Sequence, residues 1–299
     1  MGGTGGALVF GLRRDTYCYP NMLPALYEVA RRIFDTHDKT AAIQHYRTTL
    51  EPYIYMHMAQ TYGAMLEKHW ATYLPPTKSD YACVIIERRC HPHFRFILQS
   101  VAWAAPYMSV YLFCSNENKA FLQALLGDKV GHYTLVETFA GADVPRAQAI
   151  QDYNHLLTDV VFYQAIQAQY MMTVQMDNIF RRQLPVSVFV GDYWGNPWFW
   201  EKDAAGGGGA SIRRVAYMVA LCRKHRPDPS VPLDCNEDSW CSIRTTEFPP
   251  LAFRTEFSME SVPADDPYLL HQFWTFANPY IELGRDFFLQ YWGFLLTMR

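Results

Sequence analysis

Apolar positions change rhythm along this chain, and the change divides it. Leu23, Leu26, Tyr27, Ala30, Ile33 and Phe34 fall on one helical face. Asn21 suits a cap and Pro24 a first turn. The same period continues over 40–70 through Ile43, Leu50, Ile54, Met58, Leu66 and Trp70, which predicts a second helical stretch. Pro52 is expected to break or kink it, because proline removes a backbone donor and crowds the preceding turn. Pro75-Pro76 ends the helical region and marks a boundary.

From Tyr81 onward the pattern becomes short, continuous apolar runs separated by helix-length segments. Strands are expected at 81–86, 109–113, 133–136 and 170–175, and helical segments at 93–103, 121–126 and 153–168. A run without alternation is what a strand covered on both faces requires. The alternation of strand and helix therefore predicts an α/β fold with a mainly parallel sheet and helices on both faces. Crossovers of one hand then put the loops after Ile86, Phe113 and Gln175 on a single edge. Further along, 188–194 reads as a strand and 206–214 as a strand led by glycines. A helix is expected over 214–225 and a late strand over 252–257. The glycines before residue 210 allow the backbone to approach another group closely.

Composition narrows the class. Half of the 299 residues are hydrophobic and 18% are charged, enough for a sizeable core. The formal net charge of -3 argues against a general nucleic-acid binder. Aromatic residues make up 16% of the chain; they fill cores and also line sugar- and base-binding clefts. The seven cysteines are scattered and form no Cys-x-x-Cys, so a reduced, cytoplasmic protein is expected rather than a disulfide scaffold. No apolar run has the length of a transmembrane span, and the glycine-rich start does not read as a signal peptide. The aromatic stretch 287–296 suggests packing as a C-terminal helix, with peripheral membrane contact as the other reading.

Chemistry gathers at the ends of the expected strands. Asp177 follows the 170–175 run, where open α/β sheets place their ligand crevice. Glu87 and Arg89, Asn116, Asn154, Glu237-Asp238 and His271 are candidates for the same edge. A hard divalent cation bridging phosphates would take Asp177, and an added imidazole ligand suits manganese better than magnesium. Asp238 or Glu237 is a candidate general base. Each has a blander reading when taken singly: Glu87-Arg88-Arg89 as a solvated loop, Glu237-Asp238 as first-turn acids, His271 as a packed histidine. Their shared order and position is what the bland readings leave unexplained.

The ordered set resembles a known family. The stretches are Val84-Ile85-Ile86-Glu87-Arg88-Arg89-Cys90-His91-Pro92, Tyr153-Asn154-His155-Leu156-Leu157, Val174-Gln175-Met176-Asp177 and Gly195-Asn196-Pro197-Trp198. Gly207 to Arg213, Glu237-Asp238, Phe257-Ser258-Met259-Glu260 and His271 complete it. Spanning about 81–274, the set resembles a glycosyltransferase-like family of bacteria, algae, fungi and large viruses, usually labelled only as a domain of unknown function. That family is similar at a distance to the fringe-type glycosyltransferases. The resemblance implies a GT-A-like mixed, mainly parallel sheet flanked by helices, with an N-terminal helical appendage. The expected division is a flexible N-terminus (1–20), the appendage (21–79), the transferase domain (80–276) and a C-terminal aromatic helix packing on it (277–299).

It also implies a hexosyl- or pentosyltransferase using a nucleotide-sugar donor and a glycan or other hydroxyl acceptor. Asp177 and His271 match the metal ligands, Asp238 the base beside Glu237, and Gly208, Gly209 and Ser211 the glycine-rich wall beside the donor. Glu87, Arg89, Asn116 and Asn154 are assigned to donor binding. This sequence departs from the family pattern where Gln175 stands at the first acid of Asp-x-Asp, and where Gly206 to Gly209 lack an intervening Asn. A non-catalytic nucleotide- or carbohydrate-binding module on the same fold, or a membrane-associated assembly protein, remains the alternative.

Overall fold

The computed structural model describes residues 39–272 and 296–299. The expected helix at 23–34 and most of the aromatic stretch 287–296 lie outside the described residues.

The apolar runs become the inner strands of one sheet. Strands β1 (Tyr81–Ile86), β2 (Ser109–Ser115), β3 (Tyr133–Phe139) and β4 (Tyr170–Val174) pair in parallel. Two more, β6 (Tyr193–Asn196) and β7 (Gly207–Arg214), extend the sheet antiparallel to their neighbours. The spatial order is β3-β2-β1-β4-β7-β6, a mixed, mainly parallel sheet flanked by helices as expected. Because β1, β2 and β4 run the same way, their carboxyl ends share one edge. Helices α2 (Phe94–Ala104) and α3 (Asn116–Leu126) make the first two crossovers. The turn into α3 is capped by Ser115, whose hydroxyl accepts the Asn118 N–H.

The long helix α1 (Lys39–Thr72) runs through Pro52 instead of breaking there. Tyr53, Ile54 and Tyr55 follow the proline directly, Met58 comes a turn later, and all four are buried. Their burial, at roughly 1.5–3 kcal/mol per large side chain, outweighs the roughly 3 kcal/mol that an interior proline costs. These residues, with Leu66 and Trp70, belong to the same hydrophobic core as β1, β2 and β4. The helix packs on α2 and shares the core of the sheet.

Two other expectations change. The segment 252–257 is helix α8 (Leu251–Phe257), not a strand. Pro250 sits at its cap, and Arg254 and Phe257, three apart, are the buried pair. Of 188–194, only Tyr193 and Trp194 reach β6; Gly191 adopts φ of 71°, which ends any extension before it.

Between β3 and β4 lie helices α4 (Arg146–Leu157) and α5 (Val160–Gln164), and the short strand β5 (Asn178–Phe180) follows β4. After β7 come α6 (Val215–Lys224) and α7 (Glu237–Ser242). A second, small sheet is built from β5, β9 (Leu269–His271) and β8 (Ser258–Met259), in the order β5-β9-β8. Its register pairs Asn178 with His271, which brings residues far apart in sequence to the end of β4. Leu296 and Met298 are buried, and Arg299 donates its backbone N–H to the Arg181 carbonyl at 2.8 Å, so the last residues dock beside β5.

Candidate active site

Beyond β4 the chain makes a turn over Gln175 to Asn178, closed by the Asn178 N–H on the Gln175 carbonyl at 3.2 Å. Three elements hold this turn. Gly209 of β7 accepts the Gln175 N–H and the Asn178 side-chain amide. The Gln272 N–H donates to the Asp177 carbonyl at 3.2 Å. From α1, the Tyr55 hydroxyl donates to the Met176 and Asn178 carbonyls. Gln272 itself has φ of 33°, rare for a residue with a side chain, and such backbone strain clusters at functional sites.

The turn sets Asp177 against His271. Asp177 Oδ1 lies 3.2 Å from His271 Nε2, and Gln175 Oε1 lies 3.1 Å from the same nitrogen. On the other side of the ring, Nδ1 has the Asn196 amide at 3.1 Å and Glu260 Oε2 at 3.5 Å. Burial would lower the His271 pKa, but the carboxylates of Asp177 and Glu260 outweigh it and push the imidazole up to about 10.

This donor set fits a divalent cation. Donors bound side by side at about 2.1–2.2 Å to one ion stand about 3 Å apart, close to the spacings of Asp177 and Gln175 from His271 Nε2. The cation would take the place of the Nε2 proton, since a metal ligand must be neutral imidazole. No cluster of three or more His, Cys, Asp or Glu side chains with metal-binding geometry occurs among the described residues, so Gln175 and a ligand oxygen would complete the shell.

Two clefts meet here, and both are lined by Tyr153 and Gln175. The larger, about 740 Å³, runs from Asp177 past Glu87, Arg88 and Arg89 to Arg146, with Thr48 and Glu51 of α1 on its wall. The smaller, about 290 Å³, is lined by Gly207, Gly208, Gly209, Glu237, Asp238, Glu260, His271 and neighbouring amides. Within the larger cleft the Glu87 carboxylate accepts from Arg89 at 2.7–2.9 Å. Arg88 reaches Asp152 at 2.7 Å and lies over the Phe139 ring.

In the smaller cleft, the fully buried Arg213 donates to both Glu237 oxygens at 3.1–3.2 Å and to Tyr163 and Ser211. Burial pushes the Glu237 carboxyl up to about 7; Arg213 pulls it down and Asp238 pushes it further up. Burial also raises Asp238, against the backbone N–H groups of Ser239 and Gly208, with Glu260 raising it further. Carboxyl groups raised toward neutrality are what proton transfer at ordinary pH needs.

The glycines have a steric reason. A Cβ on Gly208 would overlap Glu237 Oε1, and one on Gly209 would overlap the His271 ring. Strand β7 is therefore a bare floor on which Glu237 and His271 lie.

Of the residues singled out in the sequence, Glu87, Arg89, Asn154, Asp177, Gly208, Gly209, Glu237, Asp238 and His271 line one cleft or the other. Asn154 works as a brace: it accepts the Glu237 N–H and donates to the Cys235 carbonyl, fixing the entry to α7. Asn116 and Ser211 do not join the site. Asn116 is exposed on the first turn of α3; its neighbour Asn118 is the buried one and donates to the Glu87 carbonyl. Ser211 is fully buried and bonds Thr173 at 2.7 Å across β4 and β7. Glu260, which the sequence presents only as the end of the Phe257-Ser258-Met259-Glu260 stretch, directly follows β8 and flanks His271.

Residues 140–276 match the profile of a family described as "Protein of unknown function (DUF5672)". No curated protein matches the chain by sequence. Among solved structures, 4-diphosphocytidyl-2C-methyl-D-erythritol synthase from Anaerococcus prevotii DSM 20548 is similar at 10% identity and TM-score 0.34, over 50% of this chain and 75% of that one. A candidate nucleotide-diphospho-sugar transferase from Desulfovibrio desulfuricans G20 is similar at 10% identity and TM-score 0.33, over 56% of this chain and 76% of that one.

Proposed function

We propose that this protein is a glycosyltransferase of the GT-A type, moving a hexosyl or pentosyl group from a nucleotide-sugar donor to an acceptor hydroxyl. The observation that carries the reading is the convergence of Asp177, Gln175 and His271 Nε2 where the two clefts join. The larger cleft takes the nucleotide, with Arg88, Arg89 and Arg146 offering guanidinium groups to phosphate or base oxygens. Asp177 and His271 would hold a divalent cation, for which an imidazole ligand favours Mn2+ over Mg2+. When bound, such an ion neutralises charge on a leaving diphosphate.

The smaller cleft takes the acceptor. Asp238 takes the hydroxyl proton in an inverting reaction; in a retaining one that role falls away. Glu237, held by Arg213, keeps α7 and its Asp238 turned toward the β7 floor. Donor hydrolysis and transfer measured across a nucleotide-sugar panel test this. Asp177→Ala and Asp238→Ala should each lower the rate at least about a hundredfold; unchanged rates in both remove the assigned roles. The Gln175 amide in place of an acid favours a second reading, a binding module without turnover. Calorimetry showing Mn2+-dependent nucleoside diphosphate binding with no turnover across the panel would select it.

A further inference from the structure

We propose that the acceptor is itself a saccharide and that Trp200 is the platform on which one of its rings stacks. The inference rests on the transferase reading above and adds the class of acceptor. Trp200 is 57% exposed, a large apolar surface in water. It is not a stray side chain on a loose loop. Its ring stacks on Trp198, with centroids 5.7 Å apart and an angle of 12° between planes, while Phe199 meets it edge-on at 4.8 Å. Trp198 is buried.

The loop carrying these rings is pinned at both ends by buried polar groups. Ser261 Oγ donates to the Pro197 carbonyl and accepts the Phe199 N–H, each at 3.1 Å. The guanidinium of Arg254, only 1% exposed, donates to the carbonyls of Lys202 and Ala204 at 2.6 Å and of Pro249 at 3.0 Å. A buried charge committed to loop carbonyls fixes the loop's shape. Trp200 is thus held in place and still left open.

Its position connects it to the site. The loop leaves directly from β6, whose last residue Asn196 touches His271. A Cβ on Gly207, in the floor of the smaller cleft, would stand 3.0 Å from Trp198 Nε1 and 3.2 Å from Glu260 Oε2. The Trp198–Trp200 stack therefore continues outward from the Glu260 end of that cleft. The cleft offers carboxylates, amides and backbone groups; the platform offers a flat aromatic face. That pairing matches a pyranose, which presents hydroxyls at its rim and C–H groups on its face. A lipid chain would find little apolar surface in the cleft.

The test uses the full chain. Methyl glycosides and disaccharides of glucose, galactose and mannose are titrated by intrinsic fluorescence and saturation-transfer NMR, with UDP, GDP, CDP and ADP as donor-side probes in Mn2+. At least one saccharide should bind, with affinity lowered about tenfold in Trp200→Ala and largely kept in Trp200→Phe. Nucleotide affinity should stay within about twofold in both variants. With transfer assayed, the KM for the saccharide should rise in Trp200→Ala and donor hydrolysis should not change. Saccharide binding indifferent to Trp200→Ala overturns the proposal. So does transfer to a lipid or protein acceptor whose KM ignores that variant. Nucleotide binding with no saccharide binding also overturns it and leaves the transferase reading standing; failure of both ligand classes removes the two together.

Discussion

The larger cleft is walled by ion pairs that stay partly in water, whereas the smaller is floored by glycines with buried charges laid across them. Arg89 is 63% exposed while it grips Glu87, and Asp152 is 32% exposed beneath Arg88. Across the junction, Arg213 and Glu237 are 0% and 4% exposed. The difference suggests a division of labour. Solvated pairs contribute about 0–1 kcal/mol and can exchange partners when an anionic ligand arrives. A buried pair is costly to break and holds a geometry that must not move.

The contrast can be broken hardest at Arg213. Arg213→Met should cost about 3–5 kcal/mol in urea unfolding, because Glu237 is left buried without its partner. Glu237 is raised to about 7, so protonation relieves part of that cost in acid. The loss should therefore be larger at pH 8 than at pH 6. Arg89→Ala should fall within about 1 kcal/mol; equal losses for the two variants would erase the distinction.

Next in size is the floor. Gly209→Ala should lower stability by about 1–3 kcal/mol and abolish Mn2+ binding by calorimetry, since the added methyl displaces His271. Gly131→Ala is the control, with no atom within 4 Å of its Cβ position. Smaller still, Gln175→Glu should tighten Mn2+ binding about tenfold, about 1.4 kcal/mol, by placing an anionic oxygen where Gln175 Oε1 lies beside His271 Nε2.

The gentlest probe is pH in the presence of a chelator. The folded His271 pKa, about 10, lies above the usual 6.5. Its contribution is then complete below pH 6.5 and declines as pH rises through about 10. Unfolding free energies measured between pH 7 and 10 should fall more steeply in the native protein than in His271→Gln. Parallel slopes would show that Asp177 and Glu260 do not hold the proton on the ring.

Much of the frame was legible because long-range covering leaves a local mark. Buried strands such as β1 and β4 must be apolar on both faces, and Asp177 announces itself by ending such a run. Other parts left no such mark. Strands β5, β8 and β9 are two or three residues long, too short for any period, yet their pairing delivers His271 and Glu260 to the site. Helix α8 has the same difficulty: Ala252 to Phe257 is too short to show a helical period, and the polar Arg254 is buried to hold a loop. Ser211 and Asn116 misled in a related way, since a polar residue near a site can serve the sheet or face water equally well. The glycines signal close approach, but what approaches Gly208 and Gly209 is the protein's own Glu237 and His271.

Tyr55 carries a consequence for dissection. Its hydroxyl steadies the Met176 and Asn178 carbonyls from the middle of a helix whose sequence reads as an add-on. Trimming the protein at the Pro75-Pro76 boundary would strip that support from Asp177 and unroof one side of the larger cleft. The smallest competent fragment therefore begins upstream of Thr48, well before the first strand.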